Sequence, residues 1–427
     1  MTTKPMSSIL QNPAPNLQTV LGGAAVHKVA APPSAQRILA LLRKIRQGHL
    51  TIHLPDGSVQ HAGHPGHVLH ASIEIHNWQV FAETLKSGDI GFAESFIAGH
   101  WHSPDPVALL RLFIQNRNAM EDLMYGRWWG ALFYRLRHWL RRNTKHNSSK
   151  NIHAHYDLGN DFYRLWLDGS MNYSSALFSG NSSQPMRAAQ DAKVRRALSM
   201  VRAGAGQKLL EIGCGWGALA EMACTEFGSH LTGVTLSSEQ LRFAQQRMAD
   251  CGAQSQTDLR LQDYRDIANT DGAASFDAIC SIEMVEAVGR QYWPTYFSTV
   301  AKLLKPGGRA CVQSIVIADG LFERYIRGTD FIQQYIFPGG CLPSPSVFRM
   351  EARRAGLEVV DEFAFGLDYA ETLRRWRASF DAERQAVLAQ GYDEKFLRTW
   401  SFYLVYCEAA FMENNTDVVQ FTLQKPL

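Results

Sequence analysis

The second half of the chain alternates between short apolar runs and stretches with helical spacing. From about residue 206 onward, apolar runs are followed by segments whose apolar positions lie three and four residues apart, which is typical of strands alternating with helices. This order predicts a doubly wound α/β sheet. The predicted strands are 208–212, 231–236, 259–261, 276–282, 309–315 and 418–423, and the predicted helices are 218–227, 241–249 and 296–304.

A smaller mixed unit precedes this sheet. Residues 1–35 are rich in Pro, Ala, Ser, Thr and Gln, a composition that predicts a disordered leader. We therefore divide the chain into a leader at 1–35, a small N-terminal α+β domain at 36–125, a linker at 126–150 and a larger domain at 151–427. Within the small domain the pattern predicts a helix near Ile38, strands at 50–54 and 71–75, a hairpin turn at 55–57, and helices at 92–98 and 107–114.

Composition and charge exclude several classes of protein. The 427 residues are 46% hydrophobic and 19% charged, which excludes collagen, coiled coils and wholesale disorder. Lys and Arg total 43 against 40 Asp and Glu, so the net charge of +3 gives no global reason to expect nucleic acid as a partner. The seven cysteines are scattered singly, so we expect no metal site and a reducing cytoplasm. No uncharged apolar run approaches the roughly 18 residues of a membrane-spanning helix.

The segment 127–150 has a different character, because it carries seven Lys and Arg residues and no acid. Its aromatic and aliphatic residues recur at helical spacing beside a cationic face, so such a helix could lie on anionic lipid. A linker helix packed on its own protein, with solvated arginines, explains the pattern equally well. Nucleic acid fits less well, because the aromatics line one face instead of interleaving with the basic residues.

A glycine-rich turn joins the first predicted strand of the sheet to its helix. Residues 211–218 read EIGCGWGA, and glycines at such a turn let the backbone pass close to a bound nucleotide. The spacing fits both the dinucleotide fingerprint and the ExGxGxG pattern of methyltransferases that use S-adenosylmethionine. A dinucleotide enzyme should carry an acid at the tip of the next strand, whereas Glu239 lies beyond that tip. This difference favours S-adenosylmethionine.

Several further segments accompany the glycine turn. They are HYDLGNDFY at 155–163, MNYSSA at 171–176, GVTLSSEQ at 233–240, DYRD at 263–266, SIEMVEAVG at 281–289 and YIFPGG at 335–340. With these segments the chain, from about residue 38 to its end, resembles the cyclopropane fatty acid synthase family of S-adenosylmethionine-dependent methyltransferases. The resemblance implies a class I, Rossmann-like methyltransferase fold with a seven-stranded sheet and an acyl-binding insertion at 151–427, and an N-terminal domain that associates with lipid.

The resemblance also implies where the cofactor binds. Ser237 and Gln240 have a simpler interpretation as a helix capping box, and Tyr264 has one as ordinary core. By the resemblance, Tyr173 and Ser174 would hold the methionine end, Gly213, Cys214, Gly215 and Gly217 would pass beneath the cofactor, Thr235 and Gln240 would bind near the ribose, and Asp263 and Tyr264 would border the adenine.

The chemistry implied by the family is methyl transfer from a sulfonium to a cis double bond inside a lipid acyl chain. Attack by the alkene leaves a carbocation, which needs nearby π faces or anions. Ring closure then needs a base to remove a proton from the transferred methyl group. Family members hold a bicarbonate ion as that base, and the matching positions here are Glu286, Tyr403, the backbone of Ile315, Ser175 and Gln313.

Two of these positions depart from the family pattern. Ser175 stands where a Cys is usual, and Gln313 stands where a His is usual. Both can donate hydrogen bonds, so bicarbonate could be retained. Deprotonation elsewhere would instead give a methyl-branched or methylene lipid with no ring. Glu286 has an alternative interpretation as surface charge, Glu283 receives no role, and Tyr369 is assigned only to the acyl pocket.

We therefore expect an enzyme that forms a cyclopropane in an unsaturated membrane phospholipid. The alternatives are C-methylation without ring closure and methylation of a small soluble amine. A noncatalytic lipid sensor and an NAD dehydrogenase are weaker alternatives. We expect a cytoplasmic protein in peripheral contact with the anionic inner membrane surface, and a homodimer is left open. An apolar slot is needed, because exposing about ten methylenes to water costs roughly 8 kcal/mol. Its candidate lining is Phe322, Tyr325, Ile326, Phe331, Tyr335, Ile336 and Phe337.

Overall fold

The computed structural model describes residues 31–119 and 158–427, and their strands form two sheets. The predicted linker at 126–150 and most of the predicted leader lie outside the described residues. The first helix begins at Pro33, and a proline at this position needs no partner for a backbone N–H. Ala35 is fully buried, so the folded chain already includes residues that the composition assigned to the leader.

The small N-terminal unit is an α+β fold around a four-stranded sheet in the order β2-β1-β3-β4. Strands β1 and β2 are antiparallel and joined at Gly57, where φ is 79°, which confirms the predicted hairpin. Strand β3 lies parallel to β1 on its other side. The elements are α1 (Pro33–Leu42), β1 (His49–His53), β2 (Val59–Gly63), β3 (His70–Ile75), α2 (Gln79–Ser87), α3 (Asp89–Ile97), β4 (Trp101–His102) and α4 (Pro106–Gln115).

The large sheet has seven strands in the order β10-β11-β9-β8-β5-β6-β7. Strands β9, β8, β5, β6 and β7 are mutually parallel, whereas β11 runs antiparallel to both of its neighbours. This is the predicted doubly wound sheet. Its strands are β5 (Lys208–Ile212), β6 (His230–Thr235), β7 (Thr257–Leu261), β8 (Phe276–Ile282), β9 (Leu304–Ile317), β10 (Glu358–Ala364) and β11 (Thr416–Gln424).

Helices cover the large sheet and carry most of the remaining chain. None of the helices within the described ranges is both long and apolar enough to cross a membrane. They are α5 (Asn160–Arg164), α6 (Met186–Met200), α7 (Ala218–Thr225), α8 (Ser238–Asp250), α9 (Ile267–Thr270), α10 (Val285–Val288), α11 (Trp293–Leu303), α12 (Asp319–Tyr325), α13 (Phe331–Tyr335), α14 (Pro345–Arg354), α15 (Gly366–Ala382), α16 (Arg384–Ala389) and α17 (Glu394–Met412).

The chain order of the large sheet reverses beside β5. The chain runs outward from β5 through β6 to β7 and then returns to β8, on the other side of β5. Ligands of open α/β sheets bind at such a reversal, outside the carboxyl ends of the strands. The glycine turn follows β5 and the segment 283–289 follows β8, so both motifs meet at this place.

The small unit shares its hydrophobic core with helices α15 and α17. Trp101 is fully buried, donates its indole N–H to the carbonyl of Phe92 at 3.0 Å, and lies with its ring centroid 6.3 Å from that of Phe402 on α17. Arg111 forms an ion pair with Glu413 at 2.6 Å just after α17. The two predicted domains are therefore packed through one continuous core.

Close approach of two helices fixes the identity of Gly91 in the small unit. A Cβ atom at Gly91 of α3 would lie 2.1 Å from the carbonyl oxygen of Glu83 in α2. We predict that Gly91→Ala lowers the free energy of unfolding by about 1–3 kcal/mol, because the helices must separate. Urea denaturation measures this loss. Gly66→Ala is the matched control, because nothing lies within 4 Å of a Cβ there. Equal stability of the two variants would contradict the prediction, as would a gain for Gly91→Ala from helix propensity.

Candidate active site

The glycine turn keeps side chains away from the carboxyl end of β5. Gly213, Gly215 and Gly217 have φ values of 86°, 49° and 83°, a region that favours glycine. A Cβ atom at Gly213 would lie 2.7 Å from Cγ of Met284. The backbone N–H groups of Gly213 and Cys214 both donate to the carbonyl of Val234 at 3.0 Å, which ties the turn to β6. The side chain of Cys214 is buried, and burial raises the pKa of its thiol, so its place in the site is that of backbone.

The end of β6 places the predicted ribose-binding residues together. Thr235 donates its hydroxyl to Oε1 of Gln240 at 3.0 Å, and it accepts from the backbone N–H of Ser237 at 3.2 Å. Ser237 in turn caps α8 by accepting from the backbone N–H of Gln240 at 3.3 Å. The capping interpretation thus explains Ser237, whereas the Gln240 side chain binds Thr235 at the strand tip.

Asp263 and Tyr264 follow β7 at the same edge of the sheet. The Asp263 carboxylate accepts from the backbone N–H of Arg265 at 3.0 Å and from its Nε at 2.8 Å. Tyr264 is 7% exposed, packs edge to face against Tyr296 at 5.6 Å and has no hydrogen-bond partner for its buried hydroxyl among the described residues. Its ring belongs to the core, as the simpler interpretation proposed. The resemblance assigns both residues to the border of the adenine, and this assignment stays a prediction.

These groups fit S-adenosylmethionine. Gly213 has no side chain that would block the approach of a cofactor to the ends of the strands. Polar groups lie at the tips of β6 and β7. Glu211, at the end of β5, is buried with one carboxylate oxygen unpartnered among the described residues. A buried oxygen without a hydrogen bond is costly, so this edge of the sheet is built to accept a polar ligand.

A second carboxylate, Glu283, lies at the centre of the site. Its Oε1 accepts from the backbone N–H of Ser175 at 2.9 Å and from Nε2 of Gln313 at 2.8 Å. Its Oε2 accepts from the hydroxyl of Tyr369 at 2.7 Å. Glu283 has a φ of 51°, which is rare for a residue with a Cβ and costs about 1–3 kcal/mol. Three donors from three separate segments therefore converge on one strained residue.

Glu286 lies one turn further along the chain, in α10. Its side chain is buried, and Oε1 accepts from the backbone N–H of Ile315, as the resemblance implied. Its Oε2 has no hydrogen-bond partner among the described residues. Burial, and then the neighbouring Glu283 carboxylate, raise the pKa of Glu286 to about 8. The alternative of a solvated surface charge is therefore wrong.

A lysine that the sequence motifs do not mark compensates this negative charge. Lys193 of α6 is fully buried and donates Nζ to the hydroxyl of Ser174 at 2.5 Å. Burial lowers the pKa of Lys193 to about 8, and the charge of Glu283 opposes this shift. Lys193 lies on the buried stripe of α6 with Ala189, Val194 and Ala197, so a cation on an apolar helical face is the signal that could have identified it.

Consecutive hydrogen bonds between side chains fix the orientation of Gln313. Its Oε1 accepts from Nε2 of Gln420 at 3.0 Å, and Oε1 of Gln420 accepts from Arg196 at 2.8 Å. Gln313 and Gln420 face each other in register across β9 and β11. Because the arginine and the second amide fix the orientation of Gln313, its N–H is directed at Glu283.

Aromatic rings form a wall beside Glu283, because the ring of Tyr369, whose hydroxyl donates to Glu283, lies 6.2 Å from that of Trp376. The hydroxyls of Tyr173 and Tyr403 are 2.8 Å apart, and burial raises the pKa of Tyr403, so it stays protonated. The ring of Trp376 lies 5.4 Å from that of Tyr173, and the ring of Phe337 lies 6.2 Å from that of Tyr403. Of the insertion residues expected to line one slot, Phe337 reaches this wall, whereas Phe322 packs in a separate core cluster.

The comparisons with known proteins agree with this geometry. A family model described as mycolic acid cyclopropane synthetase matches residues 143–421. Tuberculostearic acid methyltransferase UfaA1 of Mycobacterium tuberculosis is 36% identical over 424 residues, which cover 93% of this chain and 94% of the relative. Cyclopropane-fatty-acyl-phospholipid synthase of Escherichia coli K12 is 32% identical over 362 residues, which cover 83% of this chain and 88% of the relative.

Solved structures give the same result for the larger domain. The cyclopropane synthase MmaA2 from Mycobacterium tuberculosis has a TM-score of 0.60 and 27% identity. Mycolic acid cyclopropane synthase CmaA1, complexed with SAH and CTAB, has a TM-score of 0.60 and 30% identity. Each alignment covers 65% of this chain and 98% of the solved chain.

A seven-stranded class I sheet with a cofactor turn after β5 and two carboxylates after β8 defines an S-adenosylmethionine-dependent methyltransferase. The chain belongs to the mycolic acid cyclopropane synthetase family. The resemblance read from the sequence is confirmed, and so are the predicted fold and the predicted use of S-adenosylmethionine.

The raised pKa of Glu286 makes stability depend on pH. Its folded value of about 8 lies above the ordinary 4.5, so the native state keeps a proton that the unfolded chain releases. Stability is therefore lost as pH rises from 4.5 to 8. We predict that Glu286→Gln, which mimics the protonated form, removes part of this loss, so the variant gains on the wild type between pH 5 and pH 8 by up to a few kcal/mol, at about 1.4 kcal/mol per pKa unit.

Urea denaturation at pH 5 and pH 8 measures this difference. Glu323→Gln is the control, because the Glu323 side chain is 73% exposed on α12. A constant difference between wild type and Glu286→Gln at both pH values would show that Glu286 titrates normally.

Proposed function

We propose that this enzyme transfers a methyl group from S-adenosylmethionine to the cis double bond of an unsaturated acyl chain in a membrane phospholipid, and that the product is a methylene or methyl-branched chain without a ring. The observation that carries the proposal is the position of Glu283. Its carboxylate already binds Ser175 and Gln313, two of the residues expected to hold bicarbonate.

The hydrogen bonds of Glu283 argue against bicarbonate at this point of the site. Glu283 accepts the backbone N–H of Ser175 and one N–H of the Gln313 amide, and the Ser175 hydroxyl donates to the carbonyl of Ala176 at 3.0 Å. Among these donors only the second N–H of Gln313 is left for another oxyanion. Glu283 and Glu286 also interact as like charges. A further anion beside them would raise the cost of ionisation again. We infer that a protein carboxylate replaces the bound ion at this point of the site.

S-adenosylmethionine supplies an electrophilic methyl group on a positively charged sulfur. The alkene is a weak nucleophile, so the chain's main contribution is to hold the double bond in line with that methyl group, where orientation contributes roughly 7–11 kcal/mol. We assign the methionine end of the cofactor to Tyr173 and Ser174, and Lys193 fixes the hydroxyl of Ser174.

The aromatic wall stabilises the charge that the transfer creates. As the new C–C bond forms and the C–S bond breaks, positive charge appears on the acyl chain. Tyr173, Tyr403, Phe337 and Trp376 present π faces, each desolvated cation–π contact being worth about 2 kcal/mol. The same wall excludes water, which would otherwise capture the cation.

Glu283 is the group that we assign as the base. Its three hydrogen bonds fix the carboxylate, and burial raises the pKa of Glu283, which makes the ionised form a stronger base. For a methyl-branched alkene, a proton leaves a chain carbon next to the cation and passes to the carboxylate, and the electron pair of the broken C–H bond forms the new double bond. For a methylene product, a hydride first moves from the methylated carbon to the neighbouring cationic carbon. The proton then leaves the transferred methyl group, and its electron pair forms the double bond there. The lipid thus gains one CH₂ and keeps its unsaturation. Any later reduction of the branch is a separate reaction.

Ring formation is the second candidate. The contact between Glu286 and the backbone of Ile315 matches the family pattern, and the Escherichia coli relative is a cyclopropane synthase. In that case the proton leaves the transferred methyl group and its electron pair closes the three-membered ring. The relative that is 36% identical over nearly the whole chain is named a tuberculostearic acid methyltransferase and not a cyclopropane synthase, which supports the open-chain product.

We also propose that the enzyme works at the cytoplasmic surface of the inner membrane. No helix among the described residues is long and apolar enough to cross a bilayer. The basic segment 127–150 lies outside the described residues, and its sequence alone supports this proposal. Each Lys or Arg near an anionic surface contributes about 1 kcal/mol.

We predict that vesicles of dioleoylphosphatidylglycerol, incubated with enzyme and methyl-labelled S-adenosylmethionine, yield fatty acids one CH₂ heavier that still contain a double bond. Mass spectrometry before and after catalytic hydrogenation separates the products, because an unsaturated branch takes up two hydrogens whereas a ring resists mild conditions. Labelled fatty acids that take up no hydrogen would favour the ring. Label in an added amine, with none in lipid, would refute lipid methylation.

We predict that Glu283→Gln lowers turnover at least about 100-fold, the usual contribution of a positioned base, with cofactor affinity nearly unchanged. Glu283→Gly relieves the positive φ and empties the space between Ser175 and Gln313. Added bicarbonate should therefore restore part of its activity. Turnover with labelled lipid and calorimetric titration of S-adenosylhomocysteine are the two measurements.

Glu323→Gln serves as the matched control, because it makes the same chemical change on an exposed face of α12. Normal turnover of Glu283→Gln would remove Glu283 from the mechanism. If bicarbonate failed to activate Glu283→Gly in a protein that still binds S-adenosylhomocysteine, the Glu283 carboxylate would not occupy the place of a bicarbonate ion.

A further inference from the structure

A cavity of about 590 Å³ lies between the small N-terminal unit and the larger domain. This volume is typical of a small-molecule site. On the side of the small unit its wall is formed by the inward-facing side chains Leu50 and Ile52 of β1 and Ile73 and Ile75 of β3. Aliphatic walls of this kind offer no hydrogen bonds, so they suit a hydrocarbon chain rather than a polar metabolite.

The opposite wall comes from the insertion that follows β9 and from α17. Leu321 and Tyr325 of α12, Leu342 and Tyr406 line it. The hydroxyl of Tyr406 donates to Asp89 at 3.1 Å, which pairs two of the polar groups in the wall. Asp330, Arg324 and Thr416 also line the cavity, but most of its lining residues are apolar.

Two elements lead directly from the active site to this cavity. Tyr406 lies three residues after Tyr403 on α17, which is about 4.5 Å along a helix axis. Ile317 lines the cavity two residues after Ile315 on β9, which is about 7 Å along a strand, with both side chains on the same face. The cavity thus begins within one helical turn of the residues that face the double bond.

The cavity also reaches solvent. Arg327 contributes to its wall, and the Arg327 side chain is 77% exposed. A long chain can therefore enter from outside while its polar end remains near the surface.

Resting on the proposed function, we propose that this cavity holds the second, unreacted acyl chain of the same phospholipid whose other chain is methylated. Two chains joined through one glycerol must enter the protein side by side, and the active site and the cavity are adjacent and separately lined. The site of reaction takes the unsaturated chain between its carboxylates and aromatic wall. The small unit takes the other chain, which gives the unit a direct part in binding the substrate.

Filling the cavity tests this assignment. Leu321→Phe and Ile73→Phe each add an aromatic ring to a cavity wall from opposite sides, so one variant remains if the other folds poorly. Val59→Phe is the matched control, because Val59 is 48% exposed on the hairpin. Substrates are dioleoylphosphatidylglycerol and its one-chain counterpart, 1-oleoyl lysophosphatidylglycerol, in micelles of one neutral detergent.

We expect the wild type to favour the two-chain lipid and each filled variant to lose about tenfold in kcat/KM for it, the equivalent of about two methylenes no longer buried. The one-chain lipid should change less than about twofold. An equal loss with both lipids would overturn the proposal, because the cavity would then hold the reacting chain. No loss with either lipid in a folded variant would also overturn it.

Binding without turnover separates this proposal from the proposed function. Calorimetric titration of both lipids into detergent-solubilised enzyme should give tighter binding of the two-chain lipid to the wild type and equal binding of both to the filled variants. This result would stand even if no lipid were methylated. Oleate that binds the wild type but not the variants, without competing with dioleoylphosphatidylglycerol, would assign the cavity to a separate fatty acid and overturn the proposal.

Discussion

The site depends on one carboxylate held by three hydrogen bonds. Glu283 receives a backbone N–H from the loop at Ser175, an amide from β9 and a hydroxyl from α15. These segments lie far apart in the sequence, so the bonds also close the loop and the helix over the carboxyl edge of the sheet. The positive φ of Glu283 persists because the surrounding structure determines its position from three directions.

Charge is balanced across the same few residues. Glu211 and Glu286 are buried and Glu283 is partly buried, and desolvation raises the pKa of each. Lys193 is a buried cation that interacts with Glu283 and Glu211, and burial lowers its pKa to about 8. Glu286 and Lys193, whose ordinary pKa values differ by several units, are thereby brought to similar pKa values of about 8, where a proton can be exchanged at physiological pH. A dry site that handles a sulfonium and a carbocation needs this compensation, since unpaired charges are costly in it.

The sequence predicts the sheet better than the side-chain arrangement of the site. Strands β5 and β8 are predicted to the residue, because buried parallel strands read as continuous apolar runs. Strand β10 is missed, because it lies at the sheet edge and its three acidic residues interrupt the apolar run that marks a buried strand. The motifs locate the strand ends, and Glu286 contacts Ile315 as implied. The role of Glu283 is not readable from them, because it depends on one backbone angle and on a tyrosine 86 positions away.

The continuous core between the small unit and α17 has a consequence for the boundaries of the enzyme. The two mycobacterial synthase structures align with 65% of this chain and are themselves almost fully covered. Trimming this protein to their length would strip Trp101 and its neighbours from Phe402 and leave the aromatic side of α17 bare to water. Such a fragment would expose a large apolar surface and be prone to aggregate, so this chain needs its small unit to cover α17.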